Sequence, residues 1–221
     1  MSAVIEVAGL SFAYDARPVL RGISFRIGEG ERVGLAGANG SGKSTLLWCV
    51  AGLLRAPGAR ILSPSRPGFV FQNPEDQLFM PSLLQDLTLP LLQSGMARAA
   101  AREAALECLG RFGLAGFADE PATHLSLGQR KRAALALALV RRPDLLLLDE
   151  PTAELDGRAV RMLAGTLRET TVTQFIASHH LDFLRQVTDR MLVLGEGRLL
   201  FDGPTAEALG DTSLLDRAGL I

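Results

Sequence analysis

Eight consecutive residues constrain this 221-residue chain more than any other stretch: Gly37-Ala38-Asn39-Gly40-Ser41-Gly42-Lys43-Ser44. Their spacing is G-x-x-x-x-G-K-[ST], a pattern that has physical meaning only between a strand and a helix. Residues 32–36 read as a short buried strand and 43–54 as an apolar helix, so the context is met. Glycines let successive backbone N–H groups curl around an anion, and the helix start adds positive potential. Lys43 is placed to neutralise β- and γ-phosphate charge, the Ser44 hydroxyl to ligate Mg2+, and Thr45 to support the phosphates.

The rest of the chain suits an α/β fold. Residues 5–12 and 23–27 show partial apolar alternation and read as strands of an antiparallel edge or small sheet, with Gly28-Glu29-Gly30-Glu31 as a turn. Short apolar strands are expected at 69–71, 145–148, 174–177 and 190–194, separated by helix-length segments, as in an open parallel sheet. Residues 81–143 carry helical patterns at 97–112 and 129–140 and no strong strand signal, which predicts a helical insertion within a single domain spanning 1–221.

Leu145-Leu146-Leu147-Leu148 runs into Asp149-Glu150. In a parallel sheet the carboxyl ends of strands face the ligand crevice. Asp149 is therefore expected to hold Mg2+ directly or through water, and Glu150 to orient and deprotonate a water attacking the γ-phosphate. That combination implies hydrolysis of a nucleoside triphosphate.

Composition removes several other classes. A formal net charge of -1 supplies no field for nucleic acid or anionic lipid. Arg130-Lys131-Arg132 reads as a solvated face. The two cysteines, Cys49 and Cys108, lie on apolar segments away from any His/Cys cluster, which fits a reducing cytoplasm. The first six residues lack leader features, and apolar runs such as 133–140 fall far below the ~20 residues of a membrane span.

A third motif, Leu125-Ser126-Leu127-Gly128-Gln129, stands before a helix expected to begin near Arg130. With the two sites above, it resembles the signature of ATP-binding cassette (ABC) ATPases. The resemblance implies a P-loop NTPase core with a mostly parallel sheet, a small antiparallel β subdomain and a helical signature subdomain. It further implies that Ser126, Gly128 and Gln129 act in trans on ATP bound to a second subunit, so that the working unit is a dimer. Leu127 departs from the glycine usual at its place. Tyr14 resembles the aromatic that stacks on adenine, Gln72 the Q-loop glutamine that meets Mg2+, Asp156 the dimer-contacting D-loop acid, and His179 the switch histidine. His180 follows where the family usually has Asp. Singly these residues have plain structural readings: Tyr14 a core aromatic, Gln72 a loop polar residue, Asp156 a helix N-cap, His179 a strand-end histidine. Their joint occurrence in order points to one complete cassette.

Phe71-Gln72-Asn73-Pro74-Glu75-Asp76-Gln77-Leu78-Phe79 is similar to the Q-loop of the energy-coupling factor branch, whose members import cobalt, nickel, biotin and other vitamins. This resemblance implies a peripheral ATPase pair on the cytoplasmic face of the membrane, with a homodimer favoured over a paralogous heterodimer. The pair is expected to be bound to a transmembrane scaffold protein that holds a small integral substrate-binding protein. The docking surface is expected near residues 72–95. Residues 54–69 are shorter than usual in the family, and the chain ends at Ile221 without the C-terminal extension some members use to dimerise. Soluble ABC ATPases of translation or DNA repair usually carry tandem cassettes or a coiled-coil insertion, and neither pattern is found here.

Overall fold

Alternation of apolar and polar residues draws the N-terminal segment into β1 (Ala3–Tyr14) and β2 (Arg17–Gly28), which pair antiparallel. Ile5, Val7 and Leu10 on one strand and Leu20, Ile23 and Ile27 on the other are buried, as in a sheet covered on one face. The computed structural model describes residues 3–64 and 66–221. Met1 and Ser2, within the segment on which the leader expectation falls, and Ser65, inside the 54–69 stretch, lie outside the described residues.

After a turn at Glu29 and Gly30 the chain forms β3 (Arg32–Ala36) and α1 (Lys43–Val50). The helix stops short of residue 54 because Gly52 takes a φ of +74° and the Leu53 N–H turns back to the Trp48 carbonyl at 2.9 Å. β4 (Arg60–Leu62) then adds to the free edge of β1, giving a three-stranded sheet of order β2-β1-β4.

The second sheet is built from β3, β5 (Gly68–Val70), β6 (Leu145–Asp149), β7 (Thr173–Ala177), β8 (Arg190–Gly195) and β9 (Arg198–Pro204), in the order β5-β6-β7-β3-β8-β9. The four strands expected after β3 all appear, within about a residue of their expected starts. β9 was not expected: it pairs antiparallel with β8 through a tight turn in which Glu196 and Gly197 both have positive φ. Its half-exposed edge position leaves no clean alternation to read. β6 and β7 are buried on both faces. Leu145, Leu147 and Phe175 pack toward the antiparallel sheet and α1, with the Phe25 and Phe175 rings 5.5 Å apart, while Leu146, Leu148 and Ile176 pack toward the helices on the other face.

Between β5 and β6 lie α2 (Leu83–Gln93), α3 (Arg98–Arg111) and α4 (Leu127–Leu139). α3 matches the pattern at 97–112. α4 starts two residues before the expected 129, because Ser126 and Gln129 form a reciprocal capping box that fixes its first turn. α2 was not anticipated; Pro90 inside it breaks the sequence signal, while the Ser82 N-cap and the buried Leu83, Leu87 and Leu91 hold the helix. The remaining helices are α5 (Gly157–Glu169), α6 (Leu181–Val187), α7 (Thr205–Gly210) and α8 (Thr212–Arg217).

Asp86 of α2 is the anchor of the segment leading into the helices. Its Oδ1 accepts from the Phe79 and Met80 N–H groups at 3.2 and 3.1 Å, while its buried Oδ2 has no hydrogen-bond partner among the described residues. Burial pushes the carboxyl above the usual range, and the two backbone bonds pull it back in part. A carboxyl whose pKa is raised by folding contributes most at pH below its ordinary value and loses that contribution as pH rises through the raised one. Asp86→Asn is therefore expected to flatten the fall in stability between acid and neutral pH. Urea midpoints of the two proteins across that range check it, and parallel curves would contradict it.

Candidate active site at the carboxyl ends of the sheet

The loop after β3 is shaped by what its glycines exclude. A Cβ on Gly37 would lie 2.6 Å from both the Leu194 carbonyl and Ser41 Oγ, and Gly42 has a φ of +105° with Leu20 2.8 Å from the place a Cβ would take. α1 begins directly after Gly42 with no side-chain cap, so the N–H groups of its first turn stay free for an anion. Ser41 Oγ, within this loop, is buried without a hydrogen-bond partner among the described residues. The cradle fits a chain of phosphates.

Lys43 is 5% exposed, and its ammonium donates to the Gly37 and Ala38 carbonyls at 2.8 and 3.1 Å. The same ammonium lies 3.2 Å from Glu150 Oε1. Ser44 Oγ donates to Asp149 Oδ1 at 2.9 Å across 105 residues of sequence. Burial pushes the Asp149 carboxyl up, the Ser44 bond opposes this, and the adjacent Glu150 charge adds to it. Two hard oxygens so close together, with Gln72 bordering the same cavity as Ser44 and Asp149, form a donor set suited to Mg2+.

Glu150 is strained and firmly held. Its φ of +44° is unusual for a residue with a side chain, and its N–H donates to the Ala177 carbonyl at 2.9 Å. Oε2 accepts from Ser178 Oγ at 3.2 Å and the His179 N–H at 3.3 Å, and His179 Nδ1 lies 3.0 Å away. His180 does not reach this carboxylate: its ring stacks beside Phe183. The carboxyl is thus oriented toward the phosphate loop by the end of β7.

A cavity of 520 Å³ collects the site. Tyr14, Asn39, Lys43, Gln72, Glu150 and His179 line it, together with Gly40, Gly42, Ser44 and Thr45. Tyr14 is 42% exposed and meets Phe12 edge-on at 4.9 Å, so it is not a core aromatic. Ser126, Gly128, Gln129 and Asp156 are elsewhere, along a 360 Å³ groove between the starts of α4 and α5. Gln129 is tied back to the Ser126 N–H at 2.8 Å, and Asp156 caps α5 through the Ala159 N–H at 2.8 Å.

Three contributors escaped the sequence reading. Val19 borders the nucleotide cavity from β2. Ser178 braces Glu150; a serine between a buried strand and a histidine was the available signal. Lys131 is buried, and its ammonium donates to the Gln72 carbonyl. The Arg130-Lys131-Arg132 run is accordingly not a solvated face: Arg130 donates to the Leu125 carbonyl just before the cap of α4, and Arg132 to the Phe112 carbonyl at the end of α3.

A phosphate loop on a parallel sheet, facing a buried Asp-Glu pair at a strand end, defines a P-loop nucleotide hydrolase. Residues 20–153 match the family model described as ABC transporter. The chain belongs to the ABC transporter family, in its energy-coupling factor branch. It is 38% identical to the nickel import ATP-binding protein NikO of Rhodobacter capsulatus, over 100% of this chain and 97% of that one. It is 36% identical to the energy-coupling factor transporter ATP-binding protein EcfA of Methanothermobacter thermautotrophicus, over 98% of this chain and 76% of that one. The solved structure of cbiO1 from Clostridium perfringens, part of the ABC transporter complex cbiONQ, superimposes with a TM-score of 0.85 at 31% identity. That superposition covers 100% of this chain and 96% of the other. No helix among the described residues is long and apolar enough to cross a membrane.

Proposed function

We propose that this chain binds and hydrolyses ATP to energise an energy-coupling factor importer whose cargo is a transition-metal ion or a vitamin, such as nickel, cobalt or biotin. One observation carries the reading: the Glu150 carboxylate, fixed by Ser178 and His179, stands 3.2 Å from the ammonium of the phosphate-loop lysine. A separate groove lined by Ser126, Gly128, Gln129 and Asp156 supports action of the signature on a second copy. The 38% identity to a nickel import ATP-binding protein supports the cargo class.

Tyr14 stacks on the base, and the 37–45 loop with Lys43 grips the phosphates. Ser44, Asp149 and Gln72 would hold Mg2+, which would supply charge neutralisation on the phosphates. Glu150 takes the proton of the attacking water, and His179 orients Glu150 and meets the γ-phosphate side of the cavity. Ser126, Gly128 and Gln129 of one subunit close over the nucleotide of the other, with Asp156 at the contact. Two copies of the chain then provide two equivalent sites. Opening after hydrolysis moves the α2–α4 segment through Gln72, and with it a transmembrane scaffold that carries a small integral substrate-binding protein.

Purification of the tagged chain from detergent-solubilised membranes of its host, with mass spectrometry of the eluate, tests the assembly. A multi-span scaffold and a small integral protein are expected to co-elute. Ribosomal or DNA-associated partners alone, under conditions that preserve membrane complexes, would overturn the importer reading in favour of a soluble ABC ATPase.

A further inference from the structure

Among the 23 cationic Lys and Arg side chains only Lys43 and Lys131 are lysines. Both are buried, at 5% and 3% exposure. Lys43 is explained by the phosphate loop; Lys131 has no such motif. It lies in the first turns of α4, just past the Ser126 cap, and its ammonium donates to the Gln72 backbone carbonyl across 59 residues. It borders both the groove that holds Ser126 and Asp156 and the 360 Å³ cavity that holds Ser44, Gln72 and Asp149. Glu154, Asp149 and Glu150 are the carboxylates that act on its charge.

Burying an ammonium is unfavourable, and an apolar side chain of similar volume commonly serves a fold as well or better. The charge at this position therefore has a use outside packing. A guanidinium is also a poor substitute, since its planar fork asks for two acceptors where one carbonyl is offered.

We propose that Lys131 is a positioning residue for ATP hydrolysis, clamping the Gln72 carbonyl to the signature helix so that Gln72, Asp149 and Glu150 keep one arrangement. It acts through these residues and does not touch the nucleotide. The role rests on the hydrolase reading above. It also gives α4 a rigid connection to the Q-loop inside one chain, so that displacement of Ser126 and displacement of Gln72 are mechanically linked.

The test compares the full native chain with Lys131→Met, Lys131→Arg and Glu150→Gln. Trp48, the only tryptophan, lines the same cavity as Lys131, so its fluorescence reports ATP binding by the isolated chain. Turnover is measured on each chain with its co-purified partners. Lys131→Met is expected to keep or raise the urea midpoint and leave KM for ATP within about threefold. Its kcat should fall about ten- to a hundredfold, the scale of losing one charge-assisted hydrogen bond that holds Gln72 in place. Lys131→Arg should recover only part of the loss. If the methionine variant does not fold, the arginine variant carries the test by the same separation of kcat from KM. A kcat for Lys131→Met within twofold of native overturns the role, as does a fall in kcat that tracks lost stability. A native chain that binds ATP yet turns over no faster than Glu150→Gln overturns the hydrolase reading and this role with it.

Discussion

Glu150→Gln is expected to lower ATP turnover by about a hundred- to ten-thousandfold, the scale of a general base, while leaving ATP binding close to native. The amide keeps the length and shape of the carboxyl and can still accept from Ser178 Oγ and the His179 N–H, which now lie at 3.2 and 3.3 Å. The strained backbone at Glu150, with φ +44°, is unaffected by the change, so the side chain stays aimed at the cavity. What is lost is the ability to take a proton, together with the negative charge beside the Lys43 ammonium. Phosphate release and size-exclusion chromatography with and without ATP check this together. The variant should elute with ATP as a dimer that does not decay, and turnover within threefold of native would contradict the assignment.

Lys43→Met should act at the earlier step. Its ammonium satisfies the Gly37 and Ala38 carbonyls and sits 3.2 Å from a Glu150 carboxylate that is itself 5% exposed. Removing it withdraws the phosphate counter-charge, and ATP affinity is expected to fall at least about a hundredfold, roughly 3 kcal/mol. It also leaves the Glu150 carboxylate buried without its cationic neighbour, a loss on the order of 3 kcal/mol in stability. The double variant Lys43→Met/Glu150→Gln should regain most of that stability and none of the binding. Nucleotide titration by Trp48 fluorescence and urea unfolding separate the two effects; binding within fivefold of native in Lys43→Met would contradict the role.

The parts of the site legible in the sequence are those built from neighbours along the chain. Residues 37–44 fold into a phosphate cradle largely by their own backbone preferences. The four leucines before Asp149 need burial on both faces, which only an interior strand provides, so its acidic end had to reach the crevice. Ser126 and Gln129 cap a helix three residues apart. α2 and β9 were hidden because Pro90 breaks one pattern and an edge position blurs the other.

What only the tertiary structure decided are the contacts between distant segments. Ser44 meets Asp149 across 105 residues, Lys131 meets Gln72 across 59, and Ser178 meets Glu150 across 28. The tertiary structure also decided that His179, and not His180, faces the carboxylate, and that the signature lies on a groove apart from the nucleotide cavity. Sequence determines local backbone shape and which faces must be buried, because those depend on side chains a few residues apart. The order of strands in the sheet then sets which loop ends converge, and no local pattern encodes that order.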